Sequence, residues 1–116
     1  MIIWIASYPK SGNTWIRSFL TAYYFCENGI FDINKLNLIE DYPNKQFFKE
    51  KVKQGEIHKH WETSQKDIRD QKKVKFLKTH NSLITAFGND FTKPEYTLGV
   101  IYVIRDPRNV ITSVKN

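Results

Sequence analysis

The sequence predicts an α/β fold, an open parallel sheet with flanking helices, and three observations predict it. Two short, unbroken apolar runs, Ile2–Ala6 and Leu98–Ile104, are rich in β-branched residues and have the length of strands. A run that is apolar at nearly every position fits a strand covered on both faces, as in parallel sheets. After the first run the apolar residues recur at helical spacing, so strand and helix alternate along the chain. Ligands of such sheets bind outside the carboxyl ends of the strands. The loops that follow the strands are therefore where chemistry is sought.

Taken in order, Ile2-Ile3-Trp4-Ile5-Ala6 is the first strand, and Ser7–Asn13 is a loop holding Pro9 and Gly12. From Thr14 a helix is predicted, because Trp15, Ile16, Phe19, Leu20, Tyr23 and Tyr24 fall on one helical face. Asn28-Gly29 supplies its stop. Residues 30–73 are polar, rich in Lys and Asn, and broken by Pro43 and Gly55; short helices are expected over 45–54 and 63–71. Val74–Lys78 is read as the second strand, and Ser82–Phe87 as a helical turn or short helix. Leu98–Ile104 is the third strand. Arg105-Asp106-Pro107 then turns into a helix running toward Asn116, with Asp106 suited to the N-cap and Pro107 to the first helical position.

The composition narrows the function classes. At 116 residues, 41% hydrophobic, the chain allows one domain and argues against wholesale disorder. The formal charge is +6, of which +4 falls within residues 35–75, interleaved with acids. That pattern describes a solvated, Lys-rich face. Nucleic acid is disfavoured as a partner, because no known binding module accompanies the charge. No apolar run approaches the ~20 residues of a membrane span, so no membrane association is expected. The first run has no basic leader, and the single Cys26 cannot form an internal disulfide or a cysteine metal site. A reducing, cytoplasmic setting is expected.

Three polar clusters follow the three predicted strands. The first, Tyr8-Pro9-Lys10-Ser11-Gly12-Asn13-Thr14-Trp15, joins a buried strand to a helix start. Such a start offers unpaired backbone N–H groups and the positive end of the helix dipole. Gly12 permits close backbone approach; Ser11, Asn13 and Thr14 add hydrogen-bonding groups, and Lys10 adds a full charge. Together they specify an anion cradle, most often one for phosphate. The plain alternative is an ordinary βα turn capped by Thr14. The Gly-x-x-x-x-Gly-Lys-Ser/Thr nucleotide loop is absent, since here the lysine precedes the glycine. Trp15 suits either a purine ring or the core, and chemistry alone divides the two readings about evenly.

This segment resembles the 5′-phosphosulfate-binding loop of the soluble sulfotransferases, enzymes that use 3′-phosphoadenosine 5′-phosphosulfate (PAPS). The family commonly has Thr at the position of Asn13. The second cluster, Lys78-Thr79-His80, is similar to the family's catalytic segment, in which the His removes the acceptor's proton. Asn81 departs from the family's usual Leu there, which bears on the acceptor pocket and not on the His. An isolated histidine would otherwise read as a surface or capping residue, as His58 and His60 do. The third, Tyr-Val-Ile-Arg-Asp-Pro-Arg-Asn-Val-Ile-Thr-Ser ending at Ser113, is similar to the 3′-phosphate-binding segment, whose ligands match Arg105 and Ser113. Read without the resemblance, these two would be an Arg–Asp surface pair and an unremarkable helix serine. Arg108 and Lys115 are read as solvated.

The resemblance spans residues 2–116, with 30–73 matched only by position and length. It implies a P-loop-kinase-like fold and transfer of a sulfuryl group from PAPS to a hydroxyl or amine acceptor, a small molecule or a carbohydrate. His80 would be the general base. Lys10, helped by Lys78, would stabilise the leaving phosphate oxygen. Ser11, Gly12, Asn13 and Thr14 would hold the 5′-phosphate, Arg105 and Ser113 the 3′-phosphate, and Trp15 the adenine. No metal is required by this scheme. Family domains are roughly twice this length, and their later Arg-Lys-Gly phosphate loop is not found here. The chain is therefore expected to be the N-terminal part of such a domain: a truncated frame, a fragment, or one piece of a split gene whose partner is a separate C-terminal half. On its own it is expected to be inactive or marginally stable, because a half sheet bares a strand edge and an apolar face. Two other readings stand beside this one: a P-loop kinase-like nucleotide-binding protein, and a non-enzymatic basic module that binds nucleic acid.

Overall fold

The computed structural model describes residues 1–49, 51–53 and 55–116. Its centre is a four-stranded, fully parallel sheet. The strands are β1 (Ile2–Ser7), β2 (Glu40–Asp41), β3 (Lys75–Thr79) and, after a small hairpin β4 (Thr85–Ala86) and β5 (Asn89–Asp90), β6 (Thr97–Val103). Their order across the sheet is β2-β3-β1-β6. The helices are α1 (Asn13–Phe25), α2 (Trp61–Asp70) and α3 (Pro107–Lys115). The predicted α/β class and open parallel sheet are the observed ones.

β1 lies between two partners, as its unbroken apolar run requires, and Ile2, Trp4 and Ile5 are buried. The core forms on one side of the sheet. Trp4 sits edge-on to Tyr42 at 5.3 Å and beside Phe91 at 5.2 Å, and its indole N–H donates to the Thr97 hydroxyl at 3.0 Å. α2 closes this core with Trp61, Ser64, Gln65 and Ile68, an i, i+3, i+4, i+7 stripe. The polar members of the stripe are satisfied: Ser64 Oγ lies 2.7 Å from the Tyr42 hydroxyl, and Gln65 Nε2 donates to the Phe91 carbonyl at 2.6 Å.

Several expectations are corrected. Ser82–Phe87 is no helix; it leads into the β4–β5 hairpin. Phe87 and Gly88 take φ of 49° and 79°, the left-handed pair that a two-residue hairpin turn demands. The helix expected over 45–54 is a single 3₁₀ turn, Lys45–Phe47, capped by the Asn44 side chain and ended by an extended Phe48. Glu50 and Gln54 of that stretch lie outside the described residues. α1 stops at Phe25, before Asn28-Gly29, which lie in a 3₁₀ turn (Glu27–Gly29) and take positive φ of 56° and 69°. His58 and His60 are half-buried against the rings of Phe87 and Phe48, not free on the surface.

The orientation of α1 is the least intuitive feature. Its buried positions are Asn13, Arg17 and Thr21, spaced i, i+4, i+8, whereas Trp15, Phe19 and Tyr23 face outward. Two members of this polar stripe, Asn13 and Arg17, find partners there, whereas Thr21 Oγ1 is enclosed without one. Arg17 donates to the carbonyls of Ile39 at 2.6 Å and Leu36 at 3.3 Å, tying the 33–39 segment to the helix. On β6, Leu98, Val100 and Tyr102 form a bared apolar face, and among the described residues no strand pairs with its outer edge. No helix of the described residues is long and apolar enough to cross a membrane.

Candidate functional site

Parallel pairing decides where the three polar clusters lie. Ala6 is in register with Thr79 on one side and with Tyr102 on the other, and Ser7 with Val103. The chain therefore leaves β1, β3 and β6 at the same sheet end, and the segments bearing Lys10, His80 and Arg105 emerge side by side.

The loop from Tyr8 to Gly12 is bent by two left-handed residues, Lys10 at φ 64° and Gly12 at φ 104°. Gly12 occupies the N-cap position of α1, and no side chain caps the helix. Thr14 is thus inside the first turn and does not act as the cap. Its carbonyl accepts from the Ser18 hydroxyl at 2.9 Å. A substitution at Gly12 would meet a conformational rather than a spatial objection, since an added Cβ would come no closer than 3.9 Å to Val103 Cγ1. With no acid in the first turn and Lys10 at the mouth, the helix start keeps its positive character.

One cleft of about 500 Å³ is lined by Lys10, Gly12, Asn13, Thr14, Trp15, Lys78, His80, Arg105 and Ser113, with Pro9 and Ser18 between them. Every site residue expected from sequence except Ser11 borders this one space. Ser11 is buried and lines instead an adjoining apolar hollow beside α3, with Tyr8, Arg105 and Val110. Trp15 is 72% exposed and stacks on Phe19, so it lies at the cleft and not in the core. Arg105 reaches back across the cleft and donates to the Lys10 carbonyl at 3.1 Å. Asp106 caps α3 by accepting from the Arg108 N–H at 2.9 Å, with Pro107 at the first helical position. It also takes the Arg108 guanidinium, leaving Arg105 unclaimed by that carboxylate. The Arg108 fork, and the backbone bond beside it, hold the Asp106 carboxyl below its ordinary range.

His80 also borders a second hollow, of about 330 Å³. Trp4, Tyr8, Phe91, Val100 and Tyr102 make that space largely apolar. The imidazole therefore stands at the junction of a cationic cleft and an aromatic one. Its Nδ1 lies 2.7 Å from the Ser7 carbonyl oxygen and 3.4 Å from the Ser7 hydroxyl.

Known families discriminate among the chemistries this arrangement allows. The model of one family, described as the sulfotransferase domain, matches residues 2–116. The chain belongs to the sulfotransferase domain family. No curated protein and no solved structure matches it. The family match takes in β1, β3, β6 and all three segments at the carboxyl end of the sheet.

Two features of this sulfotransferase domain are not legible from the motif residues. Lys78 is paired with Asp41 at 3.1 Å, and Arg17 approaches the same carboxylate at 3.7 Å. Asp41 sits on β2, in register with Lys78, so the pairing depends on a two-residue strand that the polar 30–73 region conceals. The second feature is Asn13. Its side chain is turned away from the loop and donates through Nδ2 to the Ile5 carbonyl and to the Ser7 hydroxyl, both at 3.0 Å. What Asn13 offers the cleft is its place in the first turn of α1.

Proposed function

We propose that this chain carries the donor site and general base of a sulfotransferase that moves a sulfuryl group from PAPS to a hydroxyl or amine acceptor. The observation that carries this reading is the shared position of His80, between a cleft lined by Lys10, Lys78 and Arg105 and an aromatic hollow of substrate size. The cleft fits a bis-anionic adenosine compound. The start of α1, Lys10, Arg105 and Ser113 line it, and Trp15 offers an exposed ring for the base. Bound PAPS would supply the sulfuryl group.

His80 takes the acceptor's proton on the ring nitrogen that Ser7 does not occupy, a role typically worth ~10²–10⁴-fold. The acceptor oxygen or nitrogen bonds to sulfur as the sulfur–phosphate oxygen bond breaks, releasing adenosine 3′,5′-bisphosphate. Lys10 stabilises the charge that grows on the leaving oxygen. The first turn of α1, from Gly12 to Thr14, holds the 5′-phosphate, with Ser11 supporting the loop from behind. Arg105 and Ser113 hold the 3′-phosphate. Lys78 contributes charge from its ion pair with Asp41. The acceptor, a small molecule or a carbohydrate, enters from the aromatic side.

The chain is read as the N-terminal part of the domain, with a C-terminal half as its partner. The outer edge of β6, which no strand among the described residues pairs with, and its bared Leu98, Val100 and Tyr102 support that reading. Titration with adenosine 3′,5′-bisphosphate, followed by tryptophan fluorescence, tests the donor site. Saturable binding that ATP with Mg²⁺ does not match is the expected result. Equal preference for ATP, or no response from a folded sample, overturns it.

A further inference from the structure

We propose that Asn13 is a positioning residue for His80. Through Ile5 and Ser7 it fixes the end of β1 so that the Ser7 carbonyl holds His80 in one tautomer, with Nε2 left as the acceptor. The inference rests on the reading of His80 as the base, and it goes beyond the phosphate-holding role that the loop's resemblance implies for position 13.

The chain of contacts is short and its polarity is forced. A backbone carbonyl only accepts, so the 2.7 Å contact from His80 Nδ1 to the Ser7 oxygen requires the proton on Nδ1. A neutral imidazole with Nδ1–H carries its lone pair on Nε2, which is the state a general base needs. The Ser7 carbonyl holds that position only if the last residue of β1 is held. Asn13 holds it. The Ile5 carbonyl also only accepts, so the amide must present Nδ2 to it, at 3.0 Å. The same Nδ2 gives its second hydrogen to Ser7 Oγ, at 3.0 Å, and Ser7 Oγ lies 3.4 Å from His80 Nδ1. One NH₂ group thus bridges two successive inward positions of β1. A threonine hydroxyl has a single hydrogen and cannot make both bonds.

Burial makes the arrangement rigid. Asn13 is only 4% exposed, and its Oδ1 is enclosed without a hydrogen-bond partner. An orphaned buried acceptor carries a desolvation cost. The fold tolerates it here because the other end of the amide makes two bonds. The amide therefore has no spare donor for a phosphate in the cleft.

The test reads the imidazole directly. Long-range ¹H–¹⁵N spectra of the folded chain, at a pH where His80 is neutral, should show one protonated nitrogen, Nδ1, and one bare nitrogen, Nε2. Asn13→Ala and Ser7→Ala should each turn that pattern into an averaged one, with both nitrogens intermediate. Ser7→Ala keeps the carbonyl and removes only the hydroxyl link, so it carries the test if Asn13→Ala does not fold. An Nε2–H tautomer in the parent chain overturns the proposal. So does an unchanged single tautomer in both variants. So too does a tenfold loss of bisphosphate affinity in Asn13→Ala with the tautomer intact, which would return the side chain to the phosphate. If the parent binds no bisphosphate, the donor-site reading fails, yet the ¹⁵N pattern still reports on Asn13.

Discussion

Arg105 donates to the Lys10 main-chain carbonyl at 3.1 Å, across 95 positions of sequence, and so ties the carboxyl end of β6 to the loop after β1. The two residues proposed to hold opposite ends of one ligand are thereby held to each other. Arg105→Ala should remove both a phosphate donor and a brace on the loop. A charged hydrogen bond is worth about 1.5–3 kcal/mol, so bisphosphate affinity should fall by roughly 10- to 150-fold. Arg105→Lys, which keeps charge but not the planar fork, should fall between that variant and the parent. Calorimetric titration of the three chains checks the order, and equal affinities would remove Arg105 from the site.

Trp15 separates a binding role from a packing role. Its ring is exposed at the cleft, so Trp15→Ala should change folding stability by no more than about 0.5 kcal/mol, as surface substitutions do. Stacking of a base on an aromatic ring is worth ~1–3 kcal/mol. The same variant should therefore lose roughly 5- to 150-fold in bisphosphate affinity, and Trp15→Phe much less. Urea unfolding and ligand titration on the same samples check the contrast. A large stability loss without an affinity loss would place the ring in the core.

Two of the four strands, β1 and β6, were legible as unbroken apolar runs; β1 is covered as that pattern requires, whereas β6 keeps Leu98, Val100 and Tyr102 bared. Ile2–Ala6 and Leu98–Ile104 came within a residue or so of β1 and β6. The orientation of α1 was not legible. Helical spacing of Trp15, Phe19 and Tyr23 reads as a core face, but the face that packs inward is the one on which Asn13 and Arg17 find carbonyl partners, on β1 and on the 33–39 segment. Residues 33–49 were obscure for a related reason. They consist of 3₁₀ turns and a two-residue strand, too short for any period to emerge. Residues 82–87 lead into a hairpin and not a helix because Phe87 and Gly88 form a left-handed pair.

Arg17 should matter to stability and not to ligand contact. It is 7% exposed, and its guanidinium serves the Ile39 and Leu36 carbonyls. Burial lowers its pKa, with Asp41 opposing that shift. Arg17→Met removes the donors and leaves those carbonyls unpaired, at about 1–3 kcal/mol for each buried group. A total loss of about 2–6 kcal/mol is expected in urea unfolding. Asp41→Asn should cost less than about 1 kcal/mol through this pair, because the carboxylate side chain is 60% exposed. Equal losses from the two variants would mean that the ion pair, and not the carbonyl bonds, anchors the 33–39 segment.

Tyr42 gives the fold an alkaline limit. Burial pushes its phenol above the ordinary tyrosine range, while hydrogen bonds with Ser64 and Gln65 pull the other way. A raised folded-state pKa means that the neutral phenol is favoured in the folded chain. Its contribution is therefore fully present below the unfolded value of about 10, and it declines as pH rises through the folded value. Tyr96, also raised chiefly by burial, acts in the same direction. Melting temperatures measured from pH 8 to 11 should drop less steeply above pH 10 for Tyr42→Phe than for the parent, with the Tyr96 share of the slope remaining. At pH 8 the variant should be the less stable chain, because the Ser64 hydroxyl loses its 2.7 Å partner in the core. Parallel melting curves across that range would show that the Tyr42 phenol is ionised as readily in the folded chain as in the unfolded one.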